Sequence, residues 1–273
     1  MHSTRKISGP PLPTFRDISA DLIHVRLPRL IFNLALPFAW AASYFLCATL
    51  RIWPLAVLSL VALSFVTYGS ISHDLVHGNL GLGKRANGFL LTLIELLAVR
   101  SGHAYRVAHL HHHARFPHDD DVEGSAAGMS LGRTLLEGVT FQFRIYAWAL
   151  QHAGKERRLI VLEGCACALI VAFSLATLPL TPVFFIYVLL MIMGSWVIPL
   201  VTSYVPHVRN GTDELHQTRR FRGKVASLLA LEHLYHLEHH LYPAVPHHHW
   251  PALARRLDPY LDAAGIAPVK LWF

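Results

Sequence analysis

Cysteine is scarce in this sequence: Cys47, Cys165 and Cys167 are the only three in 273 residues, and none forms a CxxC pair. That excludes a disulfide framework, a thiolate zinc site and an iron–sulfur cluster as organising features, since each needs more thiols at close spacing. All three fall inside apolar runs, where packing is their expected role. Charge is scarce too. Asp, Glu, Lys and Arg make up 15% of the chain against 53% hydrophobic residues, with a mean hydropathy of +0.38. A water-soluble domain of this length carries more charge. There is no internal repeat. Arg5 and Lys6 are followed by neither an apolar core nor a small-residue cleavage site, so no removable signal peptide is expected.

What the chain does have is long apolar runs. A helix needs ~20 residues to cross the hydrocarbon core of a bilayer. Leu30–Leu50, Ile52–Ser72, Leu159–Leu178 and Pro182–Val205 all reach that length, the third with Glu163 near its start. Connections around Arg51 and around Pro179–Pro182 are short enough to be tight turns, so the runs pair as two hairpins. Lys and Arg number 5 before the first run, 1 between the first two, 10 in the middle segment, 0 between the last two and 8 after the fourth. The positive-inside rule then places both termini and the middle segment in the cytoplasm, as expected for a protein of an inner or plasma membrane. The net charge of +7 follows from this sidedness and does not suggest nucleic acid. Ile18, Leu22 and Ile23 have helical spacing and suggest a segment lying along the interface. Gly88–Val99 is too short to span and reads as a re-entrant or interfacial wall, in which Glu95 must find a partner.

Histidine is abundant: the chain holds 20, of which seven lie in "LEHLYHLEHHLYPAVPHHHW" (residues 231–250). "SHDLVHG" puts His73 and His77 at i and i+4, on one helix face. "YRVAHLHHHARF" puts His109, His112 and His113 at i, i+3 and i+4. "YHLEHH" repeats that spacing with His236, His239 and His240. Each set offers two or three imidazole nitrogens from one face, and imidazole is a good ligand for iron, zinc, copper and nickel. Eight such ligands exceed what one tetrahedral zinc takes and suit two ions of higher coordination number. His207, after the fourth run, is a ninth candidate by position. His247, His248 and His249 follow "PAVP" and are expected at the surface. His103, His111, His118, His216 and His233 carry no spacing argument.

The order HDxxHG, HxxHH, HxxHH, with "YHLEHHLYPAVP" at the third box and two hairpins of spans, resembles the membrane-bound fatty acid desaturase superfamily of the histidine-box di-iron type. That group includes acyl-lipid desaturases and carotenoid ketolases and hydroxylases. The resemblance covers Ile52 to about Leu261. It implies two iron ions held by His73, His77, His109, His112, His113, His207, His236, His239 and His240, with O2 as cosubstrate and a bilayer lipid as substrate. Asp74 and Glu238 lie inside the boxes and are expected to orient ligand imidazoles by accepting their N–H groups; a surface salt bridge is the alternative for each. Asp119–Asp121 resembles the acidic stretch that often follows the second box, and no ligand role is carried onto it. The chain lacks an HPGG-type haem motif, so electrons must come from a separate ferredoxin or cytochrome b5-like donor. Arg219, Arg220, Arg222 and Lys224 are candidates to dock such a donor, or anionic lipid headgroups.

These expectations combine into an all-α integral membrane fold, with four transmembrane helices in two hairpins and a cytoplasmic helical cap holding the boxes. Residues 1–29 form a cytoplasmic N-terminal segment and residues 30–273 one catalytic domain. The favoured activity is fatty acid desaturation. "HDLVHGNLGLGKRAN" resembles carotenoid ketolases, which keeps ketolation or hydroxylation open. A metal transporter or bis-histidine haem protein is the reading from another class, disfavoured because its ligands would lie within the spans.

Overall fold

A computed structural model describes residues 12–223 and 233–271. The chain folds as α1 (Phe15–Ser19), α2 (Leu27–Thr49), α3 (Trp53–Val66), α4 (Ser72–His77), α5 (Lys84–Leu97), α6 (Gly102–Arg115), α7 (Leu131–His152), α8 (Arg157–Thr177), α9 (Val183–Gly194), α10 (His236–Leu241) and α11 (Trp250–Ala263). One parallel pair of two-residue strands, Phe221–Arg222 with Val269–Lys270, ties the last segments together.

Among the described residues, four helices are long and apolar enough to cross a membrane, making this an integral membrane protein. They are α2, the continuous run Trp53–His77 containing α3 and α4, Gly154–Thr177 around α8, and Val183–Tyr204 beginning with α9. Their mean hydropathy lies between 1.6 and 2.4. Leu46, Leu58, Leu169 and Phe173 stand exposed on them, as side chains facing lipid do. The spans meet in a core of Tyr44, Leu60, Leu63, Tyr187 and Met191. Two tyrosines pin the hairpins: Tyr44 donates to the Val183 carbonyl at 2.6 Å and Tyr187 to the Leu97 carbonyl at 2.6 Å. A tyrosine hydroxyl in an apolar interior needs such an acceptor, because leaving it unpaired costs a desolvation penalty.

The second span is the most enclosed of the four and is not uniformly α-helical. Thr67–Ile71 forms a π-helical turn between α3 and α4. The extra residue in that turn resets the helical phase immediately before His73, a device common near functional sites. Gly78, at φ +71°, ends the helix, with its N–H returning to the Asp74 carbonyl. Only glycine takes this left-handed cap without penalty.

Three helices, α5, α6 and α7, lie between the second and third spans. In α5, Leu91 and Ile94 are buried while Phe89 is exposed, and Glu95 finds its partner in Arg100 at 2.8 Å. In α7, Gly138 and Phe141 face inward, whereas Leu136 and Phe143 are about three-quarters exposed at 75% and 74%. Such a one-sided helix is suited to lie against the bilayer. The expected interfacial role of the N-terminal segment is not what forms. Ile18 and Leu22 bury themselves against Leu237, Tyr242, Trp250 and Leu253, so α1 joins the cap formed by α10 and α11. The helical spacing of Ile18 and Leu22 marked an apolar face correctly, but protein covers that face.

Candidate metal centre

The three boxes and His207 come from four separate elements. α4 supplies His73 and His77, α6 supplies His109, His112 and His113, α10 supplies His236, His239 and His240, and His207 follows the fourth span. Their rings fall into two groups. The first holds His73, His77, His109, His113 and His239, and the second holds His112, His207, His236 and His240. In the first group the Nε2 atoms are 3.0 Å apart for His73 and His239, 2.8 Å for His239 and His113, 3.1 Å for His113 and His109, and 3.1 Å for His109 and His77. In the second, His207 Nε2 lies 3.0 Å from that of His112 and 3.2 Å from those of His240 and His236, which are themselves 3.1 Å apart. The two groups touch where the His113 and His240 rings stack at 4.4 Å.

This donor set fits two cations. Two nitrogens bound to one ion at ~2.1 Å and at right angles are ~3.0 Å apart, the separation found throughout both groups. One proton can bridge one pair of nitrogens, but it cannot satisfy four or five lone pairs aimed at each other. Burial pushes the pKa values of His113, His207, His236, His239 and His240 well below the usual histidine range. The rings are therefore neutral, the form that binds metal.

The groups behind the rings differ from expectation. Glu238 does not accept from a box imidazole; it is fully buried and paired with Arg222. Burial raises the Glu238 pKa, against the lowering effect of Arg222. Asp74 likewise serves a histidine outside the nine. Its two oxygens accept the backbone N–H of His247 at 3.0 Å and the His247 Nδ1–H at 2.6 Å. His247 is thus buried, contrary to the surface position expected for it, and Trp250, three residues on, packs edge-on against His73 at 5.4 Å and at a tilt against His239 at 5.0 Å.

The carboxylates that do orient box imidazoles are Asp121 and Glu123. His112 Nδ1 lies 2.7 Å from Asp121, and His109 Nδ1 lies 3.0 Å from Glu123. Burial pulls the His112 pKa down, but the Asp121 carboxylate outweighs it and the net shift is upward, giving a more basic ring. His207 is held through Nδ1 by the Ser203 carbonyl at 3.2 Å. Asp121 and Glu123 are 9 and 14 residues from their partners, across an irregular turn, and no helical spacing reveals them. Of the histidines without a spacing argument, His103 is buried with its Nδ1 2.6 Å from Glu163, which it shares with Ser101 and Thr92. The side chain of His233 lies outside the described residues. A cavity of about 20 Å³, lined in part by His73, His109, His112, His236, Tyr68 and Tyr105, leaves room beside the rings for one water-sized molecule.

The basic residues expected to dock a partner are engaged internally. Arg220 is buried between Asp258 and Asp262, Arg222 bridges Glu238 and Asp258, and Arg219 donates to the Tyr204 and His207 carbonyls. Lys224 lies outside the described residues.

Fold and site together define a helical integral membrane protein with a polyhistidine centre at one end of its bundle. Residues 48–272 match the family described as fatty acid desaturase, and the chain belongs to that family of membrane oxidoreductases. Comparison with curated proteins returns no match.

Proposed function

We propose that this protein is an O2-dependent, iron-using fatty acid desaturase acting on acyl lipids. The observation that carries the reading is the division of nine buried or half-buried imidazoles into groups of five and four, each with Nε2 separations that suit one ion. Two irons, when bound, would reduce O2 and supply the oxidant that removes hydrogen from a methylene pair. The balance is one O2, two electrons, two protons and two C–H hydrogens going to a C=C bond and two waters. The chain's own residues prepare for this. Asp121 and Glu123 fix the His112 and His109 tautomers with Nε2 unprotonated. Tyr68, Tyr105 and Trp250 line the small cavity and limit water beside the rings. The electrons require a separate ferredoxin or cytochrome b5-like protein, and the loop charges support a cytoplasmic centre that such a donor can reach.

The first-box run "HDLVHGNLGLGKRAN" favours a second reading, a carotenoid ketolase or hydroxylase using the same centre. One experiment separates them: express the chain in a host that makes membrane lipids and β-carotene, and profile both pools. New double bonds in acyl chains support the first reading, and keto- or hydroxycarotenoids the second. Elemental analysis of purified protein should give two irons per chain. One zinc and no iron, with activity retained, would overturn both.

A further inference from the structure

Asp74, His247 and His248 form a third cluster of metal-ligating side chains. Each brings one donor atom within 4.8 Å of the other two, and no residue is shared with the two groups of nine histidines. Asp74 comes from α4, one residue after His73, and the two histidines come from the turn that leads into α11. Asp74 and His247 are buried and His248 is half-buried, so the cluster reaches the surface at His248.

Two of the three members have chemistry left over. The Asp74 carboxylate has no exposure, and among the described residues its one ion-pair partner is the His247 imidazole, with Nδ1 at 2.6 Å. A buried carboxylate is normally balanced by a cation or bound to a metal. His248 Nδ1 is closed to water and makes no hydrogen bond among the described residues, a state that carries a desolvation penalty. Burial, with the neighbouring charges of His249, His247 and Arg29, pushes the His248 pKa down to about 3. The ring is therefore neutral, the form that binds metal. His249 does not join the cluster, because its Nδ1 is bound to the Leu22 carbonyl.

Two imidazoles and one carboxylate hold iron(II) or zinc through three positions and leave the remaining ones to water. Donors bound to one tetrahedral ion at ~2.1 Å are ~3.4 Å apart. Asp74 and His247 would therefore part by less than ~1 Å, the ion taking the place of the proton between them while that proton moves to Nε2 of the same ring. The widest separation would close by at most ~1.4 Å, through rotation of the half-buried His248 ring. Three protein donors, with the Arg29 charge nearby, make this a weaker position than the groups of four and five.

We propose that Asp74, His247 and His248 form a third metal site, separate from the nine histidines, which takes an exchangeable divalent ion of the iron(II) or zinc class from solvent. The full chain, purified without a polyhistidine tag, is placed in lipid nanodiscs and dialysed against zinc at a graded series of free concentrations set by chelators. Bound zinc and iron are counted together by elemental analysis. Wild type should bind one ion per chain more than His248→Ala at the upper end of the series. Affinity for that ion should fall at least tenfold in the variant, since losing even an outer partner of a ligand costs about 10–100-fold.

A second measurement needs no variant. Zinc should protect His248 of the wild-type chain from carbethoxylation, read residue by residue in mass spectra, while His118, exposed and outside every cluster, stays reactive. Equal ion counts in wild type and His248→Ala across the series, or equal protection of His118 and His248, overturns the proposal. The count also keeps this site apart from the reading of the centre. One ion lost with His248→Ala from a chain that holds no iron would leave the third site standing and remove the di-iron reading. Two irons with no ion that depends on His248 would do the reverse.

Discussion

Asp121 and Glu123 show how much a single carboxylate can decide. Each is buried, and each accepts a hydrogen bond from the Nδ1–H of a histidine whose Nε2 then faces its neighbours. Asp121→Asn and Glu123→Gln keep the shape and remove the charge. Each should weaken metal binding about 10–100-fold, read by competition with a graded series of chelators, with little loss of helicity. Affinity unchanged in both variants would show that the rings are fixed by packing alone. His247 offers a contrast with its neighbour. His247→Ala removes the Nδ1–H partner of the Asp74 carboxylate, leaving it the backbone N–H of residue 247 in a site with no exposure, and should cost about 2 kcal/mol of stability. His248→Ala should leave both the melting temperature and lipid oxidation close to wild type. Equal losses in the two variants would contradict the brace. None of these roles was legible in the sequence. Helical spacing exposes residues that share a face, and it picked out eight of the nine histidines, with His207 added by its position after the fourth run. The partners of Asp74, Asp121, Glu123 and Glu238 come from turns and from distant helices, which periodicity does not resolve.

At the scale of elements, the spans were readable because the bilayer imposes length and apolarity together, and the four expected runs match the observed helices to within a few residues. The middle segment was not readable in the same way. α7 is long but amphipathic, and its inward face depends on contacts with the fourth span. At Gly138 a Cβ would lie 2.0 Å from the Trp196 carbonyl oxygen, which is backbone and cannot swing aside. Gly138→Ala should therefore push α7 away from the span and destabilise the protein by about 1–3 kcal/mol, seen as a lower melting temperature in detergent. A neutral substitution would mean that α7 is only loosely held there. α1 illustrates the opposite difficulty: Ile18 and Leu22 form a legible apolar face, but the sequence does not say whether lipid or protein covers it.

For the molecule as a whole, the two hairpins bring all three boxes to one end of the bundle, since an even number of crossings precedes each. The loop charges predict that this end is cytoplasmic. A reporter active only outside the cytoplasm should give signal when inserted after Arg51 and none when placed after Glu123 or at Phe273. A strong signal after Glu123 with none at Phe273 would put the boxes on opposite faces and dissolve any shared centre.

The division of the nine histidines also sets an order of assembly during synthesis. Once α4 and α6 have emerged and docked, the first group already has four of its five nitrogens, lacking only His239. The second has His112 alone until the fourth span brings His207, and it gains His236 and His240 only with the last forty residues of the chain. A ribosome-bound chain stopped before residue 230 is thus equipped to capture one ion but not its neighbour. The second set of nitrogens therefore becomes complete only when nearly the whole chain has been made, well after the first set is almost assembled.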